Sequence, residues 1–274
     1  MTGIGQSKAA AIKSAFLLAQ AAVARVLREF PNAGQAGAWL PPKANGISTD
    51  SPQPCVGGWV PAIVSDMNSA TEPSGAERLR LHSFLPRSRA NGPGWRAVVW
   101  VQGCTLGCPD CFNPATHSPH GGELVSVDEV YRRIQAAGPG LEGVTLSGGE
   151  PLQQRAAVLA LLERVRRETA LSALVFTGFT WEEVQRMPEP ARLLGGVDVL
   201  IAGRYDARQP CGRALLGSAN QTLHFVTHRY SVADLDAVPA AEIVLGPDGL
   251  VSVTGLVPPA LRDAVDGSLR HPDP

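Results

Sequence analysis

The rhythm of hydrophobic and polar positions changes near residue 77. Residues 8–30 set Ile12, Phe16, Val23, Leu27 and Phe30 near one helical face, with Pro31 as the stop. From Pro31 to Gly75 the chain is Pro, Gly, Ser, Asn and Ala with little periodicity, which reads as linker. Beyond it the pattern tightens. Leu79–Leu85 alternates as a strand does, and Ala97–Gln102 is a short apolar strand. Ser126-Val-Asp-Glu129 has the spelling of a capping box, opening a helix to about Ala137. A strand follows at Gly143–Ser147, a long amphipathic helix at Gln154–Thr169, and another strand at Ser172–Thr177. Thr180-Trp-Glu-Glu183 repeats the capping spelling, and Val197–Ala202 and Thr222–Val226 read as further strands. Glu242–Leu245 and Leu250–Thr254 flank Pro247-Asp-Gly249, a hairpin signal. Strands alternating with helices predict a mainly parallel sheet, whose ligands bind beyond the carboxyl ends of the strands.

The chain thus divides into an extension over residues 1–77, a helix plus a poorly ordered Pro/Gly/Ser-rich linker, and one domain over 78–274. All three lysines (Lys8, Lys13, Lys43) fall in the extension. Ser14–Ala24 resembles a short secretory core behind two lysines, ending in Ala-Val-Ala. Weighed against export is the family resemblance drawn below, which implies chemistry needing a reductant and an oxygen-poor compartment; the expected location is cytoplasmic.

Composition narrows the classes. With 24 Lys+Arg against 25 Asp+Glu the formal net charge is -1, which argues against a broad grip on nucleic acid or an anionic membrane. Aromatics at 5% make a base-stacking surface unpromising, while 44% hydrophobic residues suffice for a core. No apolar run reaches the roughly 18–20 residues that a membrane span needs. Five cysteines are an odd number at irregular spacing, a poor disulfide framework.

Three of the five lie together in Cys104-Thr-Leu-Gly-Cys108-Pro-Asp-Cys111, directly after a predicted strand. Three thiolates within eight residues can converge on one metal centre. Structural zinc wants four ligands, and His117 would complete a Cys3His knuckle. Iron–sulfur clusters are usually held by four cysteines, so three would leave one iron of a cubane open. About 40 residues on, again just after a strand, stands Ser147-Gly-Gly-Glu-Pro151. Its glycines let backbone approach a ligand closely, and Glu150 can accept from a cationic amine; alone, such a run is more often a plain turn.

The C-x3-C-x2-C spacing followed by this turn resembles the radical S-adenosylmethionine (SAM) enzymes. Within them, Cys108-Pro-Asp-Cys111-Phe-Asn113 resembles the cluster loop of the anaerobic ribonucleotide reductase activating proteins, with Asp110 where their commonest loop has Gly. Val175-Phe-Thr-Gly-Phe179, Val197-Asp-Val-Leu-Ile-Ala-Gly203 and Gly217-Ser-Ala-Asn-Gln221 also match segments of those activases. The likeness runs over about residues 79–254 and extends more loosely to pyruvate formate-lyase activating enzyme.

The resemblance implies an incomplete (β/α)6-type barrel of roughly six parallel strands, closed by a C-terminal β-hairpin, so that 78–274 is a radical SAM domain. It implies one [4Fe-4S] cluster on Cys104, Cys108 and Cys111, with SAM chelating the open iron. Gly148, Gly149 and Glu150 would address the methionine end of SAM. Thr177, Gly178 and Asp198 are expected near its ribose and carboxylate, against ordinary strand-to-loop roles. Asp110 would set a carboxylate close to the cluster. Phe112 either packs over the adenine or is a plain core aromatic, and Asn113 either contacts the cofactor or caps the loop. No catalytic side chain beyond the cluster is implied, because the reduced cluster cleaves SAM to methionine and a 5′-deoxyadenosyl radical that removes a hydrogen atom. The implied partners are a glycyl-radical protein and an electron donor such as flavodoxin or ferredoxin. Arg204–Leu216 is the expected contact segment for partner or substrate. Cys211 reads as a free thiol, Cys55 as incidental, His117, His120, His224 and His228 as loop, packing or surface residues, and Asp206 as an exposed acid. Two rival readings are a radical SAM enzyme with another peptide or small-molecule substrate, and a non-catalytic metal-binding interaction protein.

Overall fold

A computed structural model of the chain describes residues 77–211, 213, 215–245 and 251–256. The helix and linker expected before residue 77, the export-like stretch and Cys55 lie outside the described residues. Nine strands and five α-helices follow in order: β1 (Arg78–Ser88), β2 (Arg96–Val101), β3 (Glu123–Ser126), α1 (Val127–Ala136), β4 (Gly143–Gly148), α2 (Arg155–Glu168), β5 (Ser172–Thr177), α3 (Trp181–Arg186), α4 (Pro190–Gly195), β6 (Val199–Ala202), β7 (Thr222–Phe225), α5 (Val232–Asp236), β8 (Ala241–Leu245) and β9 (Val251–Gly255).

Seven strands make one sheet in the order β3-β1-β2-β4-β5-β6-β7, and β8 and β9 pair separately as an antiparallel hairpin. β2, β4, β5 and β6 run parallel, four strands where the resemblance implies about six. The outer strands reverse because their connections carry no crossover helix. β1 meets β2 through only Arg89–Trp95, and β7 returns antiparallel to β6 after the loop 203–221. The strand β3 and the short helices α4 and α5 have no counterpart in the predicted pattern.

Each parallel strand is buried on both faces, which is why these segments read as near-continuous apolar runs. Ala97, Val99, Val101, Ala173, Val175, Leu200 and Ala202 meet the inward stripes of the helices, among them Tyr131, Ile134, Leu161, Leu162, Val184 and Leu193. Alternate residues turn to the other face. There Leu174, Val199 and Ile201 pack with Leu215, Leu216 and Leu235, and Val98 and Trp100 pack with Leu256 from beyond the hairpin. The helix starts follow their caps. Ser126 Oγ accepts from Glu129 N, and Thr180 and Glu183 form a reciprocal capping box.

Arg96 locks the amino ends of the parallel strands. It is fully buried, and its guanidinium donates to Thr145 Oγ1 at 2.7 Å, Val144 O at 2.7 Å and Ser172 Oγ at 2.9 Å. Tyr230 Oη, 2.7 Å from both Ser172 Oγ and Glu142 Oε1, links the cation to a carboxylate it does not touch. A buried charge is tolerable when its donors are satisfied in this way. No helix among the described residues is long and apolar enough to cross a membrane.

Candidate functional site

The carboxyl ends of β2, β4, β5 and β6 open into a pocket of about 830 Å³ of empty space, its mouth included. The loop after β2 supplies Cys104, Cys108 and Cys111 to its wall, and the turn after β4 supplies Gly148, Gly149 and Glu150.

The cysteine loop is held at both ends by backbone pairing. Gly103 N donates to Thr116 O at 2.7 Å and Cys104 N to His117 O at 3.1 Å. Gln102, the last residue before the loop, donates through Nε2 to Ala115 O and Ser118 O, pinning the returning strand of chain. Gln153 accepts from Thr105 N and donates to Thr105 Oγ1, joining the loop to the turn that opens α2. Asp110, at the exposed tip, has φ 54°. Left-handed backbone is where the related loops carry Gly by the sequence likeness, and Asp is one of the few other residues that tolerates it.

The three thiols are half-buried. Burial pushes the Cys104 and Cys111 thiols up, and neighbouring negative charge adds to the shift: from Cys108 at both, and from Glu150 and Cys111 at Cys104. A metal must therefore displace their protons on binding. Among the described residues no three His, Cys, Asp or Glu side chains gather tightly enough to grip a single ion. Three thiols on one pocket wall could still serve a single ion together with a fourth ligand, or three irons of a cubane.

The turn after β4 lies directly on the loop's base. Gly149 N donates to Val101 O at 2.8 Å and Glu150 N to Gly103 O at 2.9 Å. A Cβ at Gly149 would stand 2.3 Å from Gly103 O, and one at Gly148, where φ is 107°, would stand 2.5 Å from Val101 O. Only glycine fits a contact that close. Glu150 is 1% exposed. Its Oε1 accepts from Leu152 N and Thr177 Oγ1, both at 2.8 Å, and its Oε2 accepts from Gly178 N at 2.7 Å. Burial pushes the carboxyl up to about 7 in spite of these donors. Glu150 thus joins the ends of β4 and β5, and one lone pair of Oε2 is left for a ligand.

Asn113 bridges the two loops. Its N donates to Cys111 Sγ at 3.4 Å and its Nδ2 to Gly148 O at 3.3 Å, while its buried Oδ1 has no partner. A buried acceptor left unpaired beside a pocket is a place where a ligand donor fits. Phe112 turns away to pack on Tyr205, ring centroids 3.9 Å apart, and toward Val98, Trp100 and Leu256; it still lines the pocket.

The structure therefore brings together the three cysteines, Phe112, Asn113, Gly148, Gly149, Glu150, Thr177 and Gly178. Two expected residues fall elsewhere. Asp110 is exposed at the loop tip, outside the pocket lining. Asp198 precedes β6, at the amino end of the strand and about 13 Å along it from the pocket side. There its carboxylate accepts from Ala173 N at 2.8 Å and Thr227 Oγ1 at 2.7 Å and pairs with Arg166 at 3.2 Å. It ties strands together instead of addressing the site. Pocket-lining residues that the sequence does not single out individually include Leu106, Phe176, Tyr205 within the expected contact segment, and Leu256 from the chain after β9. Period-two alternation along β5 marks Phe176 as facing the same way as Leu174, and an aromatic just past a strand end in an aromatic-poor chain marks Tyr205. Nothing local marks Leu256.

A family model of the 4Fe-4S single cluster domain matches residues 90–224. Similar proteins carry the name anaerobic ribonucleoside-triphosphate reductase-activating protein. That of Enterobacteria phage T4 is 32% identical over 144 residues, covering 51% of this chain and 90% of the relative. That of Vibrio cholerae is 31% identical over 156 residues, 54% of this chain and 99% of the relative. That of Escherichia coli K12 is 29% identical over 154 residues, 53% of this chain and 98% of the relative. Since relatives at 32% and 31% identity are matched over 90% and 99% of their length, the chain belongs to the family of the anaerobic ribonucleoside-triphosphate reductase-activating proteins.

Proposed function

We propose that this chain is a radical SAM activase that holds one [4Fe-4S] cluster on Cys104, Cys108 and Cys111 and generates a glycyl radical on a partner protein. The observation that carries the reading is a single pocket at the carboxyl ends of parallel strands, in which a three-thiol loop rests on a glycine turn. Three thiols in the lining, with no fourth there among the described residues, would leave a cubane with one metal corner for a cofactor. When bound and reduced by an external donor, the cluster would supply one electron to the sulfonium of SAM, releasing methionine and a 5′-deoxyadenosyl radical.

The chain's own residues bind and orient. Gly148 and Gly149 let backbone reach the methionine end of SAM, and Glu150 steadies that turn while offering Oε2 to the ammonium. Asn113 Oδ1 accepts one further donor from the cofactor. Thr177 and Gly178 carry the β5 end to the same place. Phe112 and Leu256 give the pocket an apolar wall that excludes water.

On this reading residues 78–274 are a radical SAM domain of the partial-barrel type, and 1–77 an extension outside it. The substrate is a glycyl-radical enzyme of the anaerobic ribonucleotide reductase kind, and the electron donor a flavodoxin or ferredoxin. Neither nucleic acid nor membrane is a partner, and the working compartment is the cytoplasm.

The test is anaerobic reconstitution with iron and sulfide, followed by reductant and SAM. Formation of 5′-deoxyadenosine is expected. With the glycyl-radical partner present, a protein-centred radical signal should appear. Stoichiometric zinc in the purified protein and no 5′-deoxyadenosine would overturn the reading. Nucleoside formation without a protein radical would reassign the substrate only.

A further inference from the structure

The loop between β6 and β7 holds a second, polar construction that touches the cysteine loop only through packing. Every polar side chain of Gly217-Ser-Ala-Asn-Gln221 bonds to this loop's own backbone. Gln221 Nε2 donates to Gly203 O at 2.9 Å, and its Oε1 accepts from Gly217 N at 2.8 Å and Ser218 N at 3.3 Å. Asn220 Nδ2 donates to Arg204 O at 2.8 Å, and Ser218 Oγ accepts from Asp206 N at 3.1 Å. Three side chains thus fix the four residues that leave β6.

Those four residues carry the two side chains that reach across the site. Arg204 donates to Gly178 O at 3.2 Å and forks onto the Glu183 carboxylate at 2.6 and 3.1 Å, holding the end of β5. Tyr205 packs on Phe112, the residue after the last cysteine. Gly217 lies on the same ring: a Cβ there would come within 2.8 Å of Phe112 Cε2 and 3.4 Å of Tyr205 Cδ2.

We infer that Ser218, Asn220 and Gln221 form a positioning clasp for the cysteine loop, acting through Tyr205 and Gly217 on Phe112; Gln221 also lines the pocket, with its amide already bonded to Gly203 O, Gly217 N and Ser218 N. The clasp sets where Cys111 stands before any metal arrives. It rests on the proposed activity only for the consequence at the cluster, since the packing itself is a property of the protein without metal.

Hydrogen exchange of the metal-free protein tests it directly. Gln221→Ala and Tyr205→Ala should each speed amide exchange over residues 104–113 by about tenfold or more, through easier local opening, while α2 keeps its wild-type protection. Tyr205→Phe keeps the ring and should restore wild-type exchange there. After reconstitution, Gln221→Ala and Tyr205→Ala should also alter the electron paramagnetic resonance line shape of the reduced cluster, a signature that simple loss of stability leaves unmoved. If exchange rises only within 203–221 and residues 104–113 stay as protected as in the wild type, the clasp does not act on the cysteine loop and the inference fails. Should Gln221→Ala not fold, the Tyr205 pair alone decides. A loop that responds in protein unable to take up iron would leave the clasp standing and sink the cluster assignment.

Discussion

Glu150 Oε1 accepts the Thr177 hydroxyl at 2.8 Å inside a pocket wall that hides the carboxylate from water. The folded-state carboxyl titrates at about 7 against an ordinary value of 4.5, the cause being burial. A raised pKa means that the folded protein binds this proton more tightly than the unfolded chain. The contribution to stability is therefore complete below pH 4.5 and is lost as pH rises through 7, by about 3 kcal/mol. Urea unfolding of the metal-free protein from pH 4 to 9 should show the loss in wild type and not in Glu150→Gln. Parallel curves for the two proteins would contradict the assignment.

Cys108→Ser removes one of three thiols that line the pocket. Changes to groups that merely support metal ligands cost 10–100-fold in affinity, so loss of a ligand should exceed about 100-fold. Iron and sulfide content and 5′-deoxyadenosine formation should both collapse. The same substitution at Cys211, packed against the apolar cluster around Leu215 and Leu216, should leave iron content unchanged.

Asn113→Ala deletes the unpaired acceptor of the pocket and its bond to Gly148 O. A lost hydrogen bond to a charged or polar ligand group is worth about 1–3 kcal/mol, so binding of S-adenosylhomocysteine should weaken about tenfold. Calorimetric titration of reconstituted protein measures it. Unchanged affinity would assign Asn113 to the loop alone.

Gly149→Ala and Gly195→Ala form a matched pair. The first forces a methyl against Gly103 backbone atoms at 2.3 and 2.8 Å, and the second meets nothing within 4 Å. Denaturant midpoints should fall for Gly149→Ala by the equivalent of about 1–3 kcal/mol. They should hold or rise for Gly195→Ala, where a helix residue gains Ala propensity.

Much of this arrangement was readable because it is written locally. The capping residues Ser126 and Thr180 mark helix starts within four residues, and the thiols and the glycine turn each sit within one loop. What was not readable is carried by contacts between distant parts of the chain. The hairpin reaches the pocket side through Asn91 Nδ2 to Thr254 Oγ1, 2.9 Å across a separation of 163 residues, and Ser88 Oγ to Glu242, 2.7 Å across 154. Asp198 was misplaced because an apolar run shows that a strand exists before it shows which end meets the site. Its stretch also began two residues early, as Val197 N turns back to Leu194 O before β6 starts.

The left-handed backbone at Asp110 has a consequence for redesign. Glycine substituted there would relax the peptide and erase a negative charge together, whereas valine or isoleucine would be rejected by the local torsion before any question of docking arose. Because the side chain stands clear of the pocket, the charge at the apex of this loop can be changed without touching the groups that line the site.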